Sequence, residues 1–332
     1  MVLLSFTDLV CPLDGERLCL SEHGSSWECN KGHSFDVAKQ GYVNLLSVQH
    51  KRSKDPGDSK AMVEARREFL NSGYYQPIAA AISEAVFAEA AGISGSEECF
   101  TVLDAGCGEG YYLRELLQHP DANNSTLSLV GIDVSKWAIQ AAAKQSLVDV
   151  YAYPASENNS LAGLTAKAKA RSSGHWIVGT NAQMPIADAS IDCVLCIFGF
   201  PVFSEFYRVL RPGGVLVMLD PTNQHLLELR ELIYPKLKSE QKRVLRAGEH
   251  TGQDTDVNTK VSCGVNAGSF TNECTRLVEY SLELSSNTAV RNLLSMTPHL
   301  FRAPAEGKAR VANLQGLSVR VAVTVTILRK GE

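Results

Sequence analysis

No apolar run in this chain of 332 residues approaches the roughly 20 residues that cross a bilayer, so no membrane-spanning role is expected. The opening "MVLLSFTDLV" is apolar but short. It has neither a basic stretch before the apolar one nor a small-residue cleavage site, so a secretory leader is not expected. A disulfide framework is missing as well. The nine cysteines are odd in number and scattered, which fits a reducing cytosol and a cytoplasmic location. Nor is there a large excess of one charge. A net charge of −4 and a pI near 6.1 exclude a chain that coats nucleic acid over its whole surface, but leave room for a local basic patch. No internal repeat is present.

What is there is ordinary for a globular protein, with 45% apolar and 20% charged residues. Three zones can be distinguished. Residues 1–47 carry cysteine and histidine among spaced aromatics. Residues 48–95 read as a loop and two amphipathic helices flanking Gly73, with a turn at Pro56-Gly57 and Asp58 as the expected N-cap. Residues 96–332 hold short apolar strands, "CFTVLD", "LSLVGID", "IDCVLCIF" and "GVLVMLD". Helical stretches separate them: "YYLRELLQ", "SKWAIQAAAKQ" with Ser135 as its cap, and a third ending near Leu210 before "RPGG". Such alternation means βαβ units, a parallel sheet and an α/β fold.

Both "VDVYAY" (148–153) and "HWIVGTN" (175–181) suit the third strand. The second runs straight into the next segment and is preferred, which leaves an insertion near 154–174. A polar, glycine-rich stretch near 238–270 reads as a second insertion. Val319, Val321, Val323, Val325 and Ile327 share one face, which suits an antiparallel edge strand paired with "LVEYSLEL" (277–284).

The segment "VLDAGCGEGYYL" sets Asp104, Gly106, Gly108 and Gly110 between a strand and a helix. Glycine there lets the backbone approach a ligand that a Cβ would push away. The spacing is not the G-x-G-x-x-G of dinucleotide sites, because Tyr111 stands where the last glycine would be. Asp133 closes the next strand, where a carboxylate can take both hydroxyls of a ribose. Asn181 follows the third strand, where it can meet an adenine edge.

These features resemble the S-adenosylmethionine-dependent methyltransferases of the Rossmann-like class I, over residues 99–220 and the terminal strands. An NAD-binding domain is the alternative. Cys107, Cys193 and Cys196 read most simply as core or turn residues. Two absences narrow the acceptor. The chain lacks the Asn-Pro-Pro-aromatic signature of many exocyclic-amine methyltransferases, having "IFGFPV" after the fourth strand. It also lacks the Pro-Cys or Thr-Cys pair that usually carries the nucleophile for base C5 methylation. Direct transfer to a ring nitrogen, an oxygen or a carbanion-like carbon remains.

The stretch "CPLDG…CNKGHSFDVAKQGYVNLL…QHKRSKDPGDS…ARREFLNSGYYQPI" is similar to the large-subunit (23S) ribosomal RNA guanine-N1 methyltransferases of the RlmA/RrmA type, as are "NQHLLEL" and "MTP" further on. That resemblance implies a small N-terminal zinc-ribbon-like, RNA-recognition module ahead of the methyltransferase sheet. It implies zinc and S-adenosylmethionine as cofactors, large-subunit rRNA as partner and a homodimer. Its metal ligands fall on Cys11, Cys29 and His33, with Asp14 where the family has a cysteine. Three readings of Asp14 stay open: a carboxylate that completes the site, replacement by Cys19 or His23, or a module that has lost its zinc and folds by packing. The family's cofactor contacts fall on Tyr75, Gly108, Glu109 and His225, beside Asp104, Gly106, Gly110, Asp133 and Asn181. The sequence does not identify a general base. His225 is as much a cofactor contact as a base, with Glu109 and Asp220 behind it. Residues 31–70 carry eight Lys or Arg against five acids. Of these, Lys39, Lys51, Arg52, Lys54, Arg66 and Arg67 are the expected RNA contacts, although a solvated loop is the plainer reading of "HKRSK" alone.

Overall fold

The computed structural model describes residues 1–47, 55–92, 99–145, 174–234, 260–262 and 268–331. Its elements run β1 (Val2–Leu3), β2 (Cys19–Leu20), β3 (Ser26–Glu28), β4 (Ser34–Asp36), β5 (Tyr42–Asn44), α1 (Lys60–Asn71) and α2 (Gln76–Ala91). Then come β6 (Phe100–Ala105), α3 (Tyr111–Leu116), β7 (Thr126–Asp133), α4 (Lys136–Gln145), β8 (His175–Val178), β9 (Ile191–Ile197), α5 (Phe203–Val209) and β10 (Leu210–Pro221). The last part holds α6 (Leu227–Ile233), β11 (Lys260–Ser262), β12 (Ser269–Leu284), α7 (Asn287–Ser295), α8 (His299–Arg302), α9 (Ala305–Ala312) and β13 (Leu317–Lys330).

The large sheet has the order β11-β12-β13-β10-β9-β6-β7-β8-β5, and β1 pairs with the start of β7. It is parallel from β10 to β5, while β13 and β12 run antiparallel at the other side. Helices cover both faces, so the central strands are apolar without alternation: Val102, Leu103, Val130, Val194 and Leu195 are all fully buried. From β6 the chain moves outward first on one side, to β7, and later on the other, to β9. That makes the carboxyl end of β6 a topological switch point, where a ligand crevice forms in open α/β sheets. A three-stranded antiparallel sheet, β2-β3-β4, holds Cys19, with Cys11 ahead of it and Cys29 directly after β3.

Several expectations need correction. β13 is not an edge strand. It pairs with β10 on one side and β12 on the other, and the Val319, Val321, Val323 and Val325 side chains fill the core below it. α1 is capped by Ser59, whose hydroxyl accepts from Met62 N, and not by Asp58. Asp58 pairs with Arg66 instead, at 2.5 Å. The preferred third strand forms as β8 but stops at Val178. Its rival at 148–153, the first insertion up to residue 173 and most of the second lie outside the described residues. β11 and the start of β12 fall inside the stretch read as the second insertion.

The Trp176 indole, on β8, is buried in a slot walled by glycines. A Cβ on Gly131 would overlap its six-membered ring and would stand 2.9 Å from Cys107 Sγ. A Cβ on Gly110 would overlap the same ring and stand 3.2 Å from Ala142 Cβ. Overpacking a core position of this kind costs roughly 1–3 kcal/mol. Gly131→Ala should therefore lower the urea midpoint, and Trp176→Leu in that background should recover part of the loss. Fully additive losses in the double variant would refute this packing.

Candidate functional site

The turn after β6 is held by the end of β7. Gly106 N–H and Cys107 N–H both donate to Ile132 O, at 2.8 and 3.0 Å. Gly108 N–H donates to Asp133 Oδ2 at 3.0 Å, and Ser135 N–H to Asp133 Oδ1 at 2.7 Å. Gly106 and Gly108 take φ of +97° and +56°, which side chains with a Cβ rarely adopt. In front of them is space. A Cβ on Gly106 would meet only Asn181 Nδ2, at 4.0 Å, and one on Gly108 would meet the Arg66 side chain, nearest at 3.5 Å. Gly110 differs: it faces the core, where both its left-handed backbone, φ +78°, and the Trp176 ring require glycine. Asp133 is also more committed than the sequence suggested. Each of its oxygens already accepts one backbone N–H and keeps one lone pair for a ligand. Burial pushes its carboxyl up, and the Ser135, Gly108 and Arg66 contacts oppose that.

Beside this turn stand carboxylates with unmet hydrogen-bonding capacity. Both oxygens of buried Asp104 lack a partner among the described residues, and burial, then Asp133, pushes its carboxyl up to about 8. Glu109 Oε2 accepts from Arg114 Nη2 at 2.8 Å and from Gln145 Nε2, but its buried Oε1 has no partner among the described residues. Buried polar atoms left unpaired are costly, so the arrangement fits a ligand that brings donors and positive charge. S-adenosylmethionine has both: an ammonium, ribose hydroxyls and a sulfonium.

A ring cluster flanks the other side. Tyr75 is buried and caps α2. Its ring centroid lies 6.0 Å from Phe198 and 6.4 Å from His225, and those two are 5.7 Å apart. Phe198, directly after β9, was missed by the sequence reading. The only signal was its place in "IFGFPV"; its left-handed backbone, φ +53°, is not visible in the letters. His225 Nδ1 accepts from Ala322 N–H at 3.3 Å. Burial, then His299 and Arg230, lowers its pKa to about 4. A ring held neutral to that extent is poorly matched to general-base work near pH 7.

In the N-terminal sheet the structure brings Cys11, Asp14, Cys29 and His33 together, one ligand atom from each lying within 4.8 Å of the others. His33 Nδ1 is 3.5 Å from Cys11 Sγ, 3.4 Å from Cys29 Sγ and 2.8 Å from Asp14 Oδ2. Asp14 Oδ2 is 3.4 Å from Cys29 Sγ. Ligands at tetrahedral zinc stand on edges of about 3.5 Å, so the sulfur spacings fit that ion. Glu16 N–H donates to Asp14 Oδ1 at 2.9 Å and leads the effects that hold this carboxyl down to about 2. Cys19 is exposed on β2 and does not join the group, nor does His23.

Of the expected RNA contacts, Lys39, Arg66 and Arg67 lie among the described residues. Lys39 is exposed, and Arg67 pairs with Glu64 one turn away. Arg66 pairs with Asp58 and donates to Met296 O at 3.3 Å, leaning over Gly108. Lys51, Arg52 and Lys54 lie outside the described residues.

Two outcomes follow from this geometry. Asp104→Asn removes a charge that is costly without ligand. Because the folded pKa of Asp104 is raised, the wild type should lose stability as pH rises from 3.8 towards about 8, and the variant should lack that loss. Its affinity for S-adenosylmethionine, read by calorimetry, should nevertheless fall about 10-fold or more. An unchanged affinity would remove Asp104 from the site. For the metal, protein purified without chelator should carry about one zinc per chain, and Asp14→Cys should slow zinc loss to a chelator. Metal analysis that finds no zinc would leave the ribbon held by packing alone.

A family model described as "RlmA, N-terminal", a zinc ribbon, matches residues 9–54, and one described as "Methyltransferase domain" matches residues 103–218. A protein of Micromonospora griseorubida, provisionally named a 23S rRNA (guanine-N(1)-)-methyltransferase, is 34% identical over 232 residues, covering 67% of this chain and 68% of its own. A protein of Bacillus subtilis strain 168, provisionally named likewise, is 28% identical over 326 residues, which cover 98% of each chain. The 23S rRNA (guanine(748)-N(1))-methyltransferase of Streptomyces fradiae is 32% identical over 201 residues, covering 60% of this chain and 59% of its own. With a methyltransferase sheet, a glycine turn fitted to S-adenosylmethionine and a zinc-ribbon donor set, the chain belongs to the family of 23S rRNA (guanine-N(1)-)-methyltransferases.

Proposed function

We infer that the protein transfers a methyl group from S-adenosylmethionine to N1 of a guanine in a hairpin of large-subunit rRNA. One observation carries this reading beyond family membership. The ribbon and the cofactor turn are built on one sheet, because β5 leaves the ribbon and pairs with β8 through Val43 and Ile177. RNA gripped by the ribbon is thereby held at a fixed place relative to the turn.

When bound, S-adenosylmethionine supplies an electrophilic methyl group on a positively charged sulfur. Asp104 and the free oxygen of Glu109 receive its ammonium, the second lone pairs of Asp133 its ribose hydroxyls, and Asn181 its adenine edge. Tyr75 and His225 flank the methyl end. Guanine N1 carries a proton in the neutral base, so its lone pair must be freed. The bound group would supply its methyl to the N1 lone pair, its sulfur keeping the C–S electron pair, and the N1 proton would pass to solvent water. The target base leaves its stack to reach the site. Cys11, Asp14, Cys29 and His33 would together hold a zinc ion, whose contribution would be to fix the ribbon's fold.

Lys39, Lys51, Arg52, Lys54 and Arg67 contact phosphates, which position RNA without reading sequence. Lys54 stands just before Asp55, and Gly57 presses on the turn after β7. A Cβ there would come within 2.9 Å of Val134 and Ser135. The resemblance also carries a cytoplasmic homodimer, for which sedimentation equilibrium is the test.

Deproteinised rRNA from a strain lacking the gene should gain a reverse-transcriptase stop at one guanine when incubated with the protein and cofactor. No new stop would overturn the substrate reading. Arg52→Ala with Lys54→Ala should weaken rRNA binding and reduce the salt slope by roughly one unit per lost phosphate contact. Affinity for S-adenosylmethionine should be unchanged, and a double variant with the parent's rate at moderate salt would remove the loop from the RNA interface.

A further inference from the structure

Two bulky residues keep a left-handed backbone at the carboxyl end of neighbouring strands. Phe198, after β9, has φ +53°, and Leu226, after β10 and next to His225, has φ +52°. Each is pinned by its neighbour's carbonyl: Phe198 N–H donates to Leu219 O at 2.9 Å, and Leu226 N–H to Arg320 O at 2.8 Å. For residues with a Cβ this conformation is strained, and strain that the fold maintains gathers at working sites. Here its effect is specific. It brings the Phe198 and His225 rings to 5.7 Å with a tilt of 36°, against Tyr75 behind them. Tyr75 is buried, whereas Phe198 and His225 are both partly open.

Their position along the sheet is informative. In the order β10-β9-β6-β7-β8, all parallel, the carboxyl ends lie on one edge. Asn181 stands beyond β8, Asp133 ends β7, the glycine turn lies beyond β6, and Phe198 and His225 stand beyond β9 and β10. A ligand with its nucleoside end towards β7 and β8 has its reactive end towards the two rings. His225 adds a chemical detail. Its Nδ1 accepts from Ala322 N–H, so the proton of the neutral ring is on Nε2, which has no partner among the described residues. His299 and Arg230, the charged or titratable groups that act on the ring, favour this neutral form, as does burial.

We propose that Phe198 and His225 form the acceptor slot, in which the Phe198 ring stacks on the target guanine and His225 Nε2–H donates to guanine O6. This rests on the substrate reading above. When N1 gives up its proton to solvent, the charge left on the base gathers on O6, and a positioned N–H donor stabilises it there. His225 thus acts as a neutral donor, and Phe198 as a platform that selects a flat, extruded base.

The test uses the full chain, deproteinised rRNA from a strain lacking the gene, and calorimetry with S-adenosylmethionine alone. Phe198→Leu should lower kcat/KM for rRNA roughly 5- to 150-fold, the range of one lost base–aromatic stack, with cofactor affinity unchanged. Phe198→Tyr keeps a ring and should keep most of the rate. If the leucine variant fails to fold, Phe198→Met carries the same expectation. His225→Gln, which retains an N–H donor, should keep more of kcat than His225→Leu. The slot is overturned if the leucine variant matches the parent, or if cofactor affinity falls by the same factor as kcat/KM in the Phe198 or His225 variants. A parent that methylates no rRNA overturns the substrate reading instead, so the two failures are distinct.

Discussion

The Asp133 carboxylate ties the site together. One oxygen holds Gly108 N–H and the other holds Ser135 N–H, so the cofactor turn and the start of α4 are fixed by a single buried side chain. The linkage continues outward. Ser135 Oγ accepts from Ala138 N–H and donates to Asp58 O, and Asp58 holds Arg66, which reaches Met296 O at the end of α7. Three segments distant in sequence are thereby gathered at the carboxyl end of β6 and β7. Apart from the Asp58–Arg66 ion pair, each link is a charged or hydroxyl side chain bonded to backbone, the kind of bond whose partner is costly to leave unmet.

Much of this was legible in the letters, and what was not has physical causes. The strand–glycine–helix order around Gly106 and Gly108 could be read because backbone conformation there demands glycine. β6, β7 and β9 could be read because burial on both faces demands unbroken apolar runs. The end of α1 was misassigned to Asp58, since Asp and Ser are comparable caps and only the Arg66 pair decides between them. β13 looked like an edge strand because alternation reports which face is buried, while partners on either side are a tertiary matter. The glycine at position 110 was credited to a ligand, although its left-handed backbone and the Trp176 ring already demand it. Phe198 escaped altogether, since no local preference marks an aromatic residue for left-handed backbone.

The metal centre shows how a substitution can preserve geometry. A cysteine offers one sulfur, whereas Asp14 offers two oxygens, and the protein uses both. Oδ2 faces the two thiols and the imidazole, while Oδ1 is held by Glu16 N–H. That second bond fixes the carboxylate plane, a service that a thiolate would not need. A carboxylate held at a low pKa stays available to a cation under conditions in which the Cys11 thiol, pushed up by burial, remains protonated.

The pairing of β5 with β8 also sets an order of assembly during translation. Leu45 N–H bonds to Val178 O, so the ribbon's last strand finds its partner only after the ribosome has made the chain through β8. Until then the nascent ribbon presents an unpaired strand edge, the kind of surface that invites association with other chains. Capture of the ion by four side chains that have already left the exit tunnel is a local event and does not wait for β8. It gives the emerging segment a closed form early, and the remaining edge is left short, with three residues in β5.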